Sequence, residues 1–213
     1  MTTTEHALHT DGLATFLEAL AAKVPAPGGG ATAALHLGQA AALVAMVARY
    51  TVGARYAEHH ILVTDVCADA DAVRSRALQL IDDDMAAFSG VISAYQMPKS
   101  TAPEAETRSA AISSASVRAA EVPAEVADAA ATVIELAEKL LPVANPNVIS
   151  DVAAAADAAR AAASTARVNV EINLSNIADA STRASFTARM EGVDAVAARA
   201  DAITARVREQ LTA

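Results

Sequence analysis

Apolar residues recur along this chain at spacings of three and four, and strict alternation is confined to one short stretch. Leu13, Phe16, Leu17 and Leu20 stand at i, i+3, i+4 and i+7, which predicts a short amphipathic helix with Thr10 or Asp11 as N-cap. No Asp, Glu, Lys or Arg occurs between Lys23 and Arg49, so the helix expected from near Gly30 to about Tyr50 belongs in the middle of a bundle. Its Ala33, Ala34, Gly38, Ala41, Ala42 and Ala45 admit close neighbours, while Leu35, Leu43, Val44, Met46 and Val47 fill the gaps. Residues 54–97 keep one apolar helical face through Val63, Val66, Ala70, Val73, Ala77, Ile81, Phe88 and Ile92. As one helix that segment would extend roughly 60 Å, so a bend near Ser89-Gly90 or a projection into a dimer is expected.

Pro98 ends the long helix, and Thr101-Ala102-Pro103-Glu104 has the T-x-x-E spacing of a capping box that opens the next. Pro123 is expected to interrupt or restart the pattern before Val126, Ala130, Val133, Ile134, Ala137, Leu140 and Leu141 supply a further apolar face. After Asn145-Pro146-Asn147, either Asn147 or Ser150 caps an alanine-rich helix running to about Ile177. Val168 to Leu174 alternates like a strand, but its place at the end of a helical run argues for helix. Phe186, Met190, Val193, Val196, Ala200, Ile203 and Val207 mark one last helix. The chain therefore predicts an all-α single domain over 1–213, a bundle of long, closely packed helices.

Composition sharpens this picture. Hydrophobic residues make up 54% and aromatics only 3%, so the core is built from small side chains, which suits helices with close backbones. A net charge of -9 leaves no basic stripe to neutralise a phosphate backbone, which argues against nucleic acid. The single Cys67 permits no internal disulfide and suits a reducing cytoplasm. The N-terminal residues show neither the basic nor the apolar region of a secretion signal. The uncharged stretch raises the question of a membrane span, but Pro25, Pro27, three glycines, His36, Gln39 and much alanine favour a buried soluble helix.

Three groups of residues remain once the core pattern is set aside. Pro25-Ala26-Pro27-Gly28-Gly29-Gly30 opens the buried helix, and successive glycines there let a ligand, or only a tight turn, approach bare backbone. Asp82, Asp83 and Asp84 lie in the long helix, with Lys99 just past its end. The first two read as a solvated face, whereas Asp84, four residues before Phe88, flanks the core side, where desolvation would raise its pKa and suit it to proton exchange. The third group is Asn147, Ser150 and Asp151, with Asn169, Asn173 and Asn176 spaced as one amide stripe that either meets water or lines a polar pocket. The histidines have no metal-ligand spacing with Asp or Glu, so no metal site is expected.

In order along the chain, Pro25 to Gly30, Leu43-Val44-Ala45-Met46-Val47, Thr51-Val52-Gly53, Asp84-Met85-Ala86-Ala87-Phe88, Met97-Pro98-Lys99, Asn147-Val148-Ile149-Ser150-Asp151 and Asn169 to Leu174 resemble the cyclodeaminase/cyclohydrolase family of folate one-carbon metabolism. The resemblance implies an all-helical enzyme that is dimeric or higher and acts on a reduced folate, with no cofactor beyond that tetrahydrofolate substrate. It implies either hydrolysis of 5,10-methenyltetrahydrofolate to 10-formyltetrahydrofolate or release of ammonia from the formimino compound; the lack of an attached formiminotransferase domain tilts towards the first. A folate-binding protein without activity and a purely structural helical dimer stay open beside them.

Under the resemblance, Asp151 or Asp84 accepts a proton and stabilises the substrate cation, and Lys99 donates a proton or anchors substrate carboxylates. Asn169 and Asn173 bond the pterin or the water, Asn147 and Ser150 border the site, and Gly28, Gly29 and Gly30 wall it. Two departures from the family pattern stand out: Ala31-Thr32 where a Ser or Gly often continues the glycine run, and Gly53-Ala54-Arg55-Tyr56 where many members are lysine-rich. Thr32 replaces the hydroxyl and Arg55 the charge in this reading.

Overall fold

The computed structural model describes residues 12–212. They form α1 (Leu13–Ala21), α2 (Gly29–Tyr50), α3 (His60–Tyr95), α4 (Ala102–Leu140), α5 (Ile149–Leu174), α6 (Ala180–Glu191) and α7 (Val193–Thr212), with short 3-10 turns before α3 and α5. The proposed caps Thr10 and Asp11 lie outside the described residues, and Gly12 is the N-cap of α1. The stretch around Val168 is helical, as its context requires.

Helix α2 is the axis of the bundle, packed against α3, α4 and α5. Ala33, Ala34, Leu37, Ala40, Ala41 and Val47 are fully buried, because their small side chains let the neighbouring backbones close in. Its mean hydropathy of 1.6 would suit a membrane span, yet 56% of the window is buried against the neighbouring helices, the pattern of a core helix. Contacts at its two ends set the directions of its neighbours. At the start, Gly29 faces Asn169 near the end of α5 and Gly30 faces Asp84 of α3. At the far end, Asn145 ahead of α5 donates from Nδ2 to the Tyr50 carbonyl at 2.7 Å, and its N–H to Thr51 Oγ1 at 3.1 Å. Both α3 and α5 therefore run antiparallel to α2.

Four expectations about elements need correction. The helix expected from 54 starts at His60 and ends at Tyr95, because Ala54–His59 form a 3-10 turn ahead of the 36-residue α3. Pro123 does not break α4, which runs 39 residues around a buried proline. Neither Asn147 nor Ser150 caps α5: Asn145 Oδ1 accepts from the Asn147 N–H at 3.0 Å, and Ser150 is already inside the helix. The last helix is two, α6 and α7, parted at Gly192. The Thr101–Glu104 capping box is present in both directions, at 3.4 Å into Thr101 Oγ1 and 2.9 Å into Glu104 Oε2.

Proline inside α4 has a consequence for the site. Without an N–H at 123, the Ala119 carbonyl lacks its helical donor. Asn173 on α5 supplies one, its Nδ2 lying 3.4 Å from Ala119 O and 2.8 Å from Asn169 O. The amide thus ties α4 to α5 beside the start of α2.

Candidate functional site

The mouth of α2 opens on a hollow of about 220 Å³. Pro25 and Ala26 wall it from the segment before the helix, where the Ala26-Pro27 peptide is cis. Gly28, Gly29 and Gly30 form the floor; Asp84 and Phe88 enter from α3, Ala119 from α4 and Asn169 from α5. Asp84 is the one ionisable side chain lining the hollow among the described residues.

The glycines are explained by what stands against them. A Cβ on Gly30 would lie 1.9 Å from Asp84 Oδ1, and one on Gly29 would lie 3.1 Å from Asn169 Nδ2. Only a bare backbone lets the carboxylate come that close to the first turn of α2. Gly28, the N-cap, has no side chain to satisfy the free N–H groups there, and the Ala31 N–H bonds Asp84 instead. A carboxylate from α3 therefore does the work of a cap for α2, placed where the helix dipole favours negative charge. Burial pushes the Asp84 carboxyl above the ordinary carboxylate range, and the Ala31 hydrogen bond offsets only part of that.

Asn169 donates from Nδ2 to the Thr165 carbonyl at 2.8 Å, which holds its amide flat along the Gly29 wall. Thr32 is turned back on its own helix, its Oγ1 donating to Gly28 O at 2.9 Å, so it braces the glycine run. Asn173 lies next to the hollow, but its nitrogen is engaged by two backbone carbonyls, which makes it a positioning group. Asn176 falls beyond the end of α5, and its Oδ1 accepts from Tyr95 Oη at 3.2 Å.

The remaining candidates stand elsewhere in the chain. Asp151 precedes Asn169 by eighteen residues of continuous helix, so about 27 Å of α5 separates them. Asn147 and Ser150 share that far end, and both are exposed. Arg55 is there too, exposed after α2 and stacked on Tyr56 at 5.6 Å from the ring centroid. Lys99 sits on the exposed turn after α3, which runs about 16 Å past Asp84 before ending. One chain does not enclose Asp151, Lys99 and Asp84 in a single hollow, because the lengths of α3 and α5 hold them apart. Phe88 was not among the sequence candidates; its place one turn after Asp84 is the signal that points to it.

Known proteins resemble this chain over most of its length. Residues 12–192 match the family model described as formiminotransferase-cyclodeaminase. The chain belongs to that family. It is 35% identical over 196 residues to a methenyltetrahydrofolate cyclohydrolase of Methylorubrum extorquens, covering 92% of this chain and 93% of that protein. It is 30% identical over 174 residues to the formimidoyltransferase-cyclodeaminase of Rattus norvegicus, but spans only 32% of that longer protein. The crystal structure of formiminotetrahydrofolate cyclodeaminase from Thermotoga maritima superposes with a TM-score of 0.82 at 29% identity, covering 96% of this chain and 98% of that one.

Proposed function

We propose that this member of the family hydrolyses 5,10-methenyltetrahydrofolate to 10-formyltetrahydrofolate. The observation that carries the reading is the lone Asp84 carboxylate, held by a glycine floor in a hollow with no cationic lining residue among those described. A cationic amidinium is the ligand charge that such a hollow accommodates. The similarity to the Methylorubrum cyclohydrolase over nearly its whole length supports the same reading.

In the proposed reaction, ionised Asp84 faces the cation and takes a proton from the attacking water as the water oxygen bonds the bridging carbon. The bond from that carbon to N5 then breaks, and the proton passes from Asp84 to N5, leaving the formyl group on N10. The second proton of the water goes to solvent. A carboxyl that burial raises above its ordinary range holds a proton more readily than a free one, which suits the transfer to N5. Product formation removes the positive charge, which weakens the hold of Asp84 and favours release.

A second reading is favoured by the structural neighbour and the longer relatives: closure of formiminotetrahydrofolate with loss of ammonia. Its protonated formimino group would meet Asp84 with the same charge. We further propose that the enzyme works as a homodimer in the cytoplasm. Side-by-side assays test the choice. The expected result is loss of the near-ultraviolet absorbance of the methenyl compound on adding protein; ammonia from the formimino compound without methenyl loss would select the second reading. Turnover of neither would overturn both.

A further inference from the structure

A hollow of about 220 Å³ lies below the ~300–1,000 Å³ usual for a whole drug-sized ligand, so it holds one end of a folate and leaves the rest outside. Phe88, 43% exposed at the mouth, offers an aromatic face to whatever leaves it. The tail of a folate ends in glutamyl carboxylates, which call for a cation that the hollow does not supply.

Resting on the folate reading above, we infer that Lys23 is the anchor for the glutamyl carboxylates, in a subsite outside the hollow that runs past Phe88. Lys23 stands two residues before Pro25, the first lining residue, so its Cα is within about 7 Å of that wall. Its flexible stem adds about 6 Å of reach, comparable with the ~10–12 Å a benzoyl-glutamate extends beyond its amine. Lys23 is exposed and makes no ion pair among the described residues, whereas two other cations of the neighbouring helices are engaged. Arg108 donates to the Tyr95 carbonyl and Arg167 to Asp194. Arg118, exposed on α4 next to the lining residue Ala119, is the rival cation, and Arg118→Ala is the variant that separates the two.

The test measures binding of tetrahydrofolate and of tetrahydropteroate, which lacks only the glutamate, to the full chain and to Lys23→Ala, Lys23→Glu, Lys99→Ala and Arg118→Ala. Tetrahydrofolate is expected to bind the unaltered protein more tightly, and Lys23→Ala to weaken it about threefold to fivefold, an effect that shrinks as salt is added. Tetrahydropteroate affinity stays unchanged in that variant, Lys23→Glu weakens tetrahydrofolate further, and Lys99→Ala and Arg118→Ala leave the difference between ligands in place. The inference is overturned if Lys23→Ala alters neither ligand or both alike, or if Lys99→Ala or Arg118→Ala is what removes the difference. Equal binding of both ligands by the unaltered protein would remove the tail subsite and leave the folate reading standing. Failure of either ligand to bind would overturn the folate reading and this inference with it.

Discussion

Asp84 is held in a position that costs the fold and serves the chemistry. Its carboxyl is raised by burial, so the charged form is disfavoured in the folded chain relative to the unfolded one. The stability linked to this group is fully present below the unfolded pKa near 3.8, and is lost as pH rises through the folded value. Replacing Asp84 with Asn keeps an oxygen for the Ala31 N–H and removes the buried charge. Turnover is expected to fall by at least about 100-fold, the range for loss of a general base. The melting temperature of Asp84→Asn at neutral pH is expected to exceed that of the unaltered protein, with the gap closing as pH falls through the folded pKa towards 3.8. Paired melting curves across pH check this; an Asn variant less stable at pH 7 would mean that the carboxylate serves mainly as the cap of α2. Asp84 is distinguishable in the sequence from Asp83 by its spacing to Phe88, which shares its face of α3 at the hollow, although Phe88 is exposed there and not part of the expected core face. Asp83 instead joins Glu125 on Arg76 at 2.9 and 2.6 Å, a partly exposed network that adds little stability for each pair.

At the scale of elements, most of α2, α3 and α5 can be read from the apolar spacing, and the capping box marks the start of α4 to the residue. What the pattern hides is compensation from elsewhere in the fold. Propensity puts proline about 3 kcal/mol below alanine in a helix interior, so Pro123 reads as a break. The structure keeps α4 whole because the proline is buried among apolar neighbours and Asn173, fifty residues away, takes the carbonyl that the proline frees. No local window contains both residues. The dependence is measurable as a double-mutant cycle. Asn173→Leu alone is expected to cost about 1–3 kcal/mol, since it leaves the Ala119 carbonyl without a side-chain donor. In a Pro123→Ala background the new N–H satisfies that carbonyl, so the same change should cost about 1 kcal/mol less. The bond from Asn173 to Asn169 O is lost in both backgrounds and cancels. Equal costs by denaturant titration would show that the 3.4 Å contact contributes nothing.

For the whole molecule, the candidate residues fall at two ends of one bundle: Asp84, Asn169 and the glycines at the start of α2, and Arg55, Ser150 and Asp151 at its finish. The separation of about 27 Å follows from the helical reading of α5 alone, because eighteen residues of helix cannot fold back on themselves. Exposed Phe88, Tyr95, Val168 and Ile172 near the hollow leave apolar surface unpartnered in a single chain. In the proposed homodimer a two-fold axis makes every contact reciprocal, so if the far end of one chain meets the hollow of the other, two equivalent shared sites result. Asp84→Asn and Asp151→Asn would then each inactivate both sites of their own dimers. Mixing the two variants with exchange of subunits puts both substitutions in one site of the mixed dimer and leaves the other intact. Random reassortment makes half the dimers mixed, so activity is expected to return to about a quarter of the unaltered value. Rates measured before and after exchange check this. Activity that stays at the level of the separate variants would confine the chemistry to Asp84 and its own chain, and full activity of Asp151→Asn alone would leave that residue as a first-turn acid facing the dipole of α5.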